Sequence, residues 1–355
     1  MRIFQLLQVT NQREASDLHL ITGFNPTLRI QGELHELVTF PLLTSKDIEQ
    51  MIFELLSPIQ KESLLQNHEL DFSITSEIKE NENIRFRANA YFQKSTLSAS
   101  FRRIPSQIPS LAQLGLPTIL NEFVKLKQGF IIITGASGQG KSTTLASIIA
   151  QINLTRKVHI VTIEDPIEYV YPKGKALISQ KELFQDTHSW DKALKNVLRE
   201  DPDVVYIGEM RDFEAISSAL TIAETGHLVF STLHTNSASQ TIDRIIDVFP
   251  ASAKDQIRMQ LSMVISSIIT QRLVPSNSGK RVPVCEILLG TPSIKNIIRD
   301  GKIHLIDNTI QTSSGAGMIL FEEDLKDKVT KGIIAPEVAV EYALRPETYL
   351  QLMER

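Results

Sequence analysis

Three observations predict an α/β protein built on a doubly wound, mostly parallel sheet, with a smaller α+β module ahead of it. From Gly129 onward, short β-branched runs alternate with helical segments, the pattern of a parallel sheet covered by helices on both faces. The first of those runs, Gly129–Thr134, leads directly into Gly135-Ala-Ser-Gly-Gln-Gly-Lys-Ser142, which fits G-x-x-x-x-G-K-[ST] without a gap. Before it, Pro105-Ser-Gln-Ile-Pro-Ser110 breaks the pattern in the manner of a linker. A chain of 355 residues suits two domains. The expected division is an α+β domain over 1–104, a linker over 105–118 and a nucleotide-binding domain over 119–355 with a helical C-terminal part.

Met1–Thr10 reads as a first helix or strand and lacks both the apolar core and the cleavage site of a leader, as in a cytoplasmic protein. Ser16–Ile21 and Thr27–Gly32 alternate as strands around the turn Gly23-Phe-Asn-Pro26. Thr44-Ser-Lys-Asp47 caps a helix that carries Ile48, Met51, Ile52, Leu55 and Leu56 on one face. A helix over Ile59–Gln66 follows. Strands are then expected at Glu69–Ile74, Asn83–Tyr91 and Thr96–Arg102. In the second of these, Ile84, Phe86, Ala88 and Ala90 alternate with Arg85, Arg87, Asn89 and Tyr91, so one face is core and the other polar.

After a short helix around Thr118–Lys125, the strands Gly129–Thr134, Val158–Ile163, Asp203–Ile207 and Leu228–Thr232 are separated by helices such as Ser189–Arg199 and Phe213–Glu224. Beyond Asn236 the pattern turns helical. Lys254–Leu273 has apolar residues near helical spacing and is expected to be a core helix closing at Pro275-Ser-Asn-Ser-Gly279. Further helices are expected at Ser293–Asp300, Gly317–Lys331 and Pro336–Leu344.

An apolar fraction of 42% and a charged fraction of 22% describe an ordinary globular chain. The formal net charge of −4 gives no electrostatic footprint for nucleic acid, and none is expected as a partner. The single cysteine, Cys285, excludes an internal disulfide and reads as a small buried hydrophobe. No apolar window approaches the roughly 18 residues of a membrane span, so membrane contact is expected only through partners.

The chemistry gathers at the strand ends. In the glycine-rich loop, Gly135, Gly138 and Gly140 let the backbone turn its N–H groups toward phosphate oxygens, and the helix that opens near Lys141 aims its positive end at the same anions. Lys141 reaches the β- and γ-phosphates and the Ser142 hydroxyl ligates Mg²⁺. Gly135, Ala136, Ser137, Gly138, Gln139, Gly140, Lys141, Ser142 and Thr143 are therefore the expected binding residues for ATP. Asp203-Val-Val-Tyr-Ile-Gly-Glu-Met-Arg-Asp212 resembles a Walker B strand in which Gly208-Glu209 replaces Asp-Glu. That leaves Glu209 to hold metal-bound water, to orient the attacking water, or both, while Asp212 suits the cap of the next helix. Glu164, Asp165 and Glu168 cluster after another strand, where carboxylates beside a triphosphate make sense with Mg²⁺ present. Ser142, Glu164 and Glu209 are the expected metal ligands. His227 and His234 stand at either end of the run Leu228–Leu233, where a histidine in line with the loop senses the γ-phosphate.

In this order the glycine-rich loop, Thr162-Ile-Glu-Asp-Pro-Ile-Glu168, Gly208-Glu-Met-Arg-Asp212 and Ser231-Thr-Leu-His-Thr235 resemble the type II/IV secretion ATPase family, the hexameric motors of type II secretion and type IV pili. That family also has Gly where the ordinary Walker B has Asp. The likeness runs from Ala15-Ser-Asp-Leu-His-Leu20 to Ser293-Ile-Lys-Asn-Ile-Ile-Arg-Asp-Gly301 and is nearest to the pilus-retraction branch. It departs at Ala136, where the family commonly has Pro, at Gln139, where it commonly has Ser, and at Ser293 and Lys295. The intact Met-Arg-Asp and His-Thr elements favour that branch over its accessory retraction ATPase. The extension and secretion motors carry an additional N-terminal domain and often a four-cysteine zinc module.

The resemblance implies a PAS-like N-terminal domain, a RecA-like P-loop NTPase core and a homohexamer that hydrolyses ATP to power pilus retraction and twitching motility. It implies a catalytic set of Glu209, Glu168, His234, Arg87 and Arg102, with the base left between Glu168 and Glu209, while His227 is expected beside the nucleotide from its strand-end position alone. The implied partners are an inner-membrane pilus platform protein and a second retraction ATPase, at the inner face of the cytoplasmic membrane. A RecA-like nucleic-acid translocase is the reading of another class; it calls for a basic channel that this charge balance does not suggest.

Overall fold

A computed structural model of the chain describes residues 2–79, 82–104 and 107–354. It divides into two compact units, Met1–Gln107 and Ile108–Arg355. Of the expected linker, Pro105 and Ser106 lie outside the described residues.

The first unit is a six-stranded antiparallel sheet: β1 (Asp17–Leu20), β2 (Thr27–Ile30), β3 (Glu33–Glu36), β4 (Glu69–Lys79), β5 (Glu82–Gln93) and β6 (Thr96–Arg103), in the order β3-β2-β1-β6-β5-β4. Strand alternation sends Phe86, Ala88 and Ala90 of β5 into a core shared with Leu18, Phe101 and the helices Ile3–Gln12 and Ser45–Leu55. The second helix starts where expected: Thr44 Oγ1 accepts from Asp47 N at 3.2 Å and the Asp47 carboxylate accepts from Thr44 N at 2.9 Å, a reciprocal cap. The short edge strand β3 was not anticipated; its four residues are all exposed and carry no apolar alternation.

The second unit is a seven-stranded sheet of β7 (Gly129–Thr134), β8 (His159–Glu164), β9 (Leu177–Glu182), β10 (Val204–Ile207), β11 (Leu228–Leu233), β12 (Ile265–Pro275) and β13 (Arg281–Leu289), in the order β13-β12-β7-β11-β10-β8-β9. All neighbours run parallel except β12 and β13, which form an antiparallel hairpin. The near-continuous apolar runs are explained by burial on both faces. Ile131 and Ile133 of β7 pack against the helix Lys141–Thr155, while Phe130 and Ile132 point to the other side, where the helices Trp190–Val197, Phe213–Glu224, Ala238–Asp247 and Lys254–Val264 cover the sheet. The C-terminal helices Phe321–Thr330, Pro336–Tyr342 and Pro346–Met353 close a further small core over Val274 and Val284 of the hairpin. No helix among the described residues is long and apolar enough to cross a membrane.

The single helix expected over Lys254–Leu273 is corrected. The helix ends at Val264, and Ile265–Pro275 is strand β12, buried along most of its length. Apolar residues on both faces imitate a helical stripe, so periodicity alone does not separate the two. Ile265, Ile268, Ile269 and Thr270 are β-branched, which favours the strand. The Pro275–Gly279 stretch expected to close a helix is instead the hairpin turn, with Ser276 N donating to Lys280 O at 2.8 Å. The helix expected from Gly317 begins at Phe321.

Candidate active site

The parallel strands β7, β8, β10 and β11 all end on one edge of the sheet, and the polar residues that follow them meet there. β7 is buried throughout and delivers the chain into the loop 135–140, then into the helix Lys141–Thr155. Gly135 is required at the bend, because a Cβ there would lie 2.3 Å from the Gln271 carbonyl of β12. The N-cap residue, Gly140, has no side chain to cap the helix, which leaves its first N–H groups suited to an anionic ligand. Lys141 is buried and turns back on the loop, donating to Gly135 O at 2.7 Å and Ala136 O at 2.9 Å. Burial lowers its pKa, and the nearby Glu209 and Glu168 oppose that shift. An ammonium satisfied only by two carbonyls is poised to exchange them for phosphate oxygens.

Glu209 follows β10. Its Oε2 lies 3.2 Å from Arg211 Nε and its Oε1 lies 3.2 Å from His234 Nε2, at the end of β11. Its own loop and the neighbouring one thus hold the carboxylate at both oxygens. Gly208 explains the departure from an ordinary Walker B: a Cβ there would stand 3.3 Å from Ile163 O and 3.4 Å from Glu164 Cα. An aspartate in that space would press on the end of β8. Asp212 Oδ1 accepts from Ala215 N at 2.9 Å and caps the helix Phe213–Glu224.

The acidic stretch after β8 divides by environment. Glu164 is only 4% exposed, and its Oε1 accepts from Thr162 Oγ1 at 2.7 Å and from Gln180 Nε2 at 3.3 Å. Burial pushes its pKa up to about 7. Asp165 and Glu168 are exposed, and Asp165 lies 3.9 Å from Arg211 Nη1. The segment is positioned from β9, a strand sequence reasoning missed. Gln180 Nε2 donates to Tyr169 O, Gln180 Oε1 accepts from Tyr171 N and Glu182 Oε2 accepts from Ile167 N. Tyr169 in turn places its hydroxyl 2.9 Å from Thr143 Oγ1, joining the acidic stretch to the first turn of the loop helix.

His227 is not part of this gathering. It precedes β11 at the opposite edge of the sheet, where its carbonyl accepts from Gly129 N at 3.1 Å and its Nδ1 meets Ile222 O at 3.1 Å. A six-residue strand is about 20 Å long, so the expectation of a nucleotide contact from His227 is corrected. Arg87 and Arg102 belong to the first unit, where they face each other directly across β5 and β6. Arg102 Nε lies 2.9 Å from Asp17 Oδ1 and Arg87 Nη2 lies 3.8 Å from Asp71 Oδ2. Their neighbours Arg85 and Arg103 are engaged inside that unit, with Ser73 Oγ and Ala15 O.

The donors suit a hard cation: the half-buried Ser142 hydroxyl and the carboxylates of Glu209 and Glu164 are all oxygens. Among the described residues no three acidic, His or Cys side chains converge as a metal cage.

Fold and site together define a P-loop ATPase. Residues 3–329 match the family model described as Type II/IV secretion system protein, and the chain belongs to that family. It is 42% identical over 349 residues to the "Type IV pilus retractation ATPase PilT" of Pseudomonas aeruginosa, covering 98% of this chain and 100% of that one. It is 41% identical to a "Twitching motility protein" of Neisseria gonorrhoeae, covering 98% and 91%. Among solved structures, the "Crystal Structure of the Pilus Retraction Motor PilT and Bound ADP" superposes with a TM-score of 0.90 at 40% identity, over 99% of both chains.

Proposed function

We propose that this ATPase is the motor that powers type IV pilus retraction, acting as a homohexamer on an inner-membrane pilus platform protein at the inner face of the cytoplasmic membrane. The observation that carries the reading is the near-complete match to PilT, 42% identical across 98% of this chain and 100% of the relative. That a solved pilus retraction motor holds ADP supports nucleotide binding by this chain. On this reading 1–104 is the PAS-like domain, 105–118 the linker and 119–355 the RecA-like ATPase domain.

In the proposed reaction Lys141 and the loop N–H groups hold the β- and γ-phosphates. Ser142, Glu164 and Glu209 would hold Mg²⁺, which when bound would supply positive charge to the phosphate oxygens. Glu209, fixed by His234 and Arg211, orients a water in line with the γ-phosphorus and takes its proton as the new P–O bond forms. The bond from the γ-phosphorus to the bridging oxygen breaks, and ADP leaves with that electron pair. Glu168, exposed at the same edge and near enough to act on Lys141, assists in orienting the water. Arg87 and Arg102 are proposed to stabilise γ-phosphate charge, as an arginine finger does in GTPases.

Deleting the gene in the source organism tests the cellular role. Loss of a retraction motor leaves cells covered with pili and unable to twitch. Cells without pili would instead identify an extension motor.

A further inference from the structure

The phosphate loop is braced from strand β12 by a small network of side-chain amides. Gln271 is 2% exposed and uses both ends of its side chain. Its Nε2 donates to the Gln139 carbonyl at 2.7 Å, and its Oε1 accepts from Thr144 Oγ1 at 2.7 Å. The Gln139 side chain reciprocates, with Oε1 accepting from Leu273 N at 2.6 Å. β7 ends at Thr134, opposite Thr270, so beyond that point the Gln139 amide stands in for a strand neighbour.

The consequence is directional. In a trans peptide the C=O and N–H point opposite ways. Holding the Gln139 carbonyl against β12 therefore turns the Gly140 N–H away from β12. A free Gln139–Gly140 peptide has both orientations available, one of which would point a carbonyl at the phosphates. Thr144 sits on the first turn of the loop helix, so the same side chain also fixes the helix relative to the loop.

We infer that Gln271 is a positioning residue for nucleotide binding, keeping the phosphate loop in its binding form before ligand arrives, with Gln139 as its partner. The inference rests on the reading of residues 135–142 as a nucleoside triphosphate site. It assigns a purpose to Gln139, the loop residue at which the family commonly has Ser. Its contribution is to ground-state binding, because a loop that is already formed loses less entropy on closing around phosphate.

The test is steady-state ATP turnover with Mg²⁺ on the full chain, together with the rise in melting temperature that ADP produces. Gln271→Ala is expected to raise KM for ATP about tenfold, to leave kcat within about threefold, and to shrink the ADP-induced rise. Gln271→Glu keeps the acceptor for Thr144 but sets a carboxylate against the Gln139 carbonyl, so its KM should rise further. Gln139→Ala, at a partly exposed site that does not threaten the core, should raise KM less. Combined with Gln271→Ala it should add less than its own effect, because the two share one network.

A Gln271→Ala protein with unchanged KM, whose melting temperature falls equally with and without ADP, would overturn the proposal. So would a loss confined to kcat. If the wild-type chain itself shows neither ADP stabilisation nor turnover, the nucleotide reading falls, and this inference with it.

Discussion

His234 Nε2 and Glu209 Oε1 lie 3.2 Å apart across the ends of two adjacent parallel strands, β11 and β10. With Arg211 on the second oxygen at 3.2 Å, the carboxylate has little freedom to turn. A base must be aimed as well as present. His234→Ala is therefore expected to lower kcat about tenfold with little change in KM, and His234→Gln, which retains an N–H donor, to recover part of the loss. Steady-state kinetics of the two variants beside the wild type decide it. Equal losses in both variants would mean that the hydrogen bond to Glu209 is not what matters.

Glu164 makes stability depend on pH in the nucleotide-free protein. Burial raises its pKa from 4.5 to about 7. Between those values the unfolded chain has released the proton while the folded chain retains it, so stability falls as pH rises. The contribution is fully present below pH 4.5 and lost above about 7, with a span on the order of 3 kcal/mol. Glu164→Gln is neutral at every pH and should flatten that part of the curve. Denaturant midpoints at pH 5 and pH 8, taken for both proteins, give the comparison; parallel curves would count against the buried proton.

The helix Phe321–Thr330 carries a buried ion pair whose carboxylate also fastens it to the sheet. Lys328 Nζ lies 2.6 Å from Asp324 Oδ1, and Asp324 Oδ2 accepts from Cys285 N of β13 at 2.7 Å. Removing one partner strands the other charge, a loss of about 3–5 kcal/mol. Lys328→Met should lower stability by that amount. Lys331→Met, in an exposed pair with Asp327, should cost less than about 1 kcal/mol. Urea unfolding of the two variants separates the cases. Similar losses would show that burial of the Lys328 pair is unimportant.

Sequence carried some parts of this account well and others poorly. Gly135 to Ser142 was legible because the loop's function fixes residue types at set spacing between a buried strand and a helix. Glu209 and His234 were legible as polar residues ending apolar runs. Gln271 was not, because a lone glutamine inside Ile265–Val274 has no motif, and its bonds to Gln139 and Thr144 span 132 and 127 positions. β9 was missed because most of its residues are polar and only half-buried at the sheet edge. His227 misled for another reason: strand pattern does not tell which end of a strand faces the loop until the parallel register is known.

A buried cluster around Arg345 was equally invisible. Arg345 Nη1 lies 3.0 Å from Glu286 Oε2 and 3.1 Å from Glu322 Oε2, and its Nη2 lies 2.8 Å from Asp307 Oδ2. Glu286 also accepts from Ala238 N at 2.8 Å, at the start of the helix that follows the His234 loop. Glu286, Asp307 and Glu322 lie 59, 38 and 23 positions from Arg345 with no motif between them, and each residue alone reads as an ordinary surface charge.

The most direct test is ATP hydrolysis by the purified protein with Mg²⁺, beside Glu209→Gln, with mass in solution measured on the same samples. Turnover by a species of six chains, reduced at least about 100-fold in the variant while ADP still raises its melting temperature, is the expected result. Undiminished turnover in Glu209→Gln would contradict the assignment of Glu209 as the group that activates water.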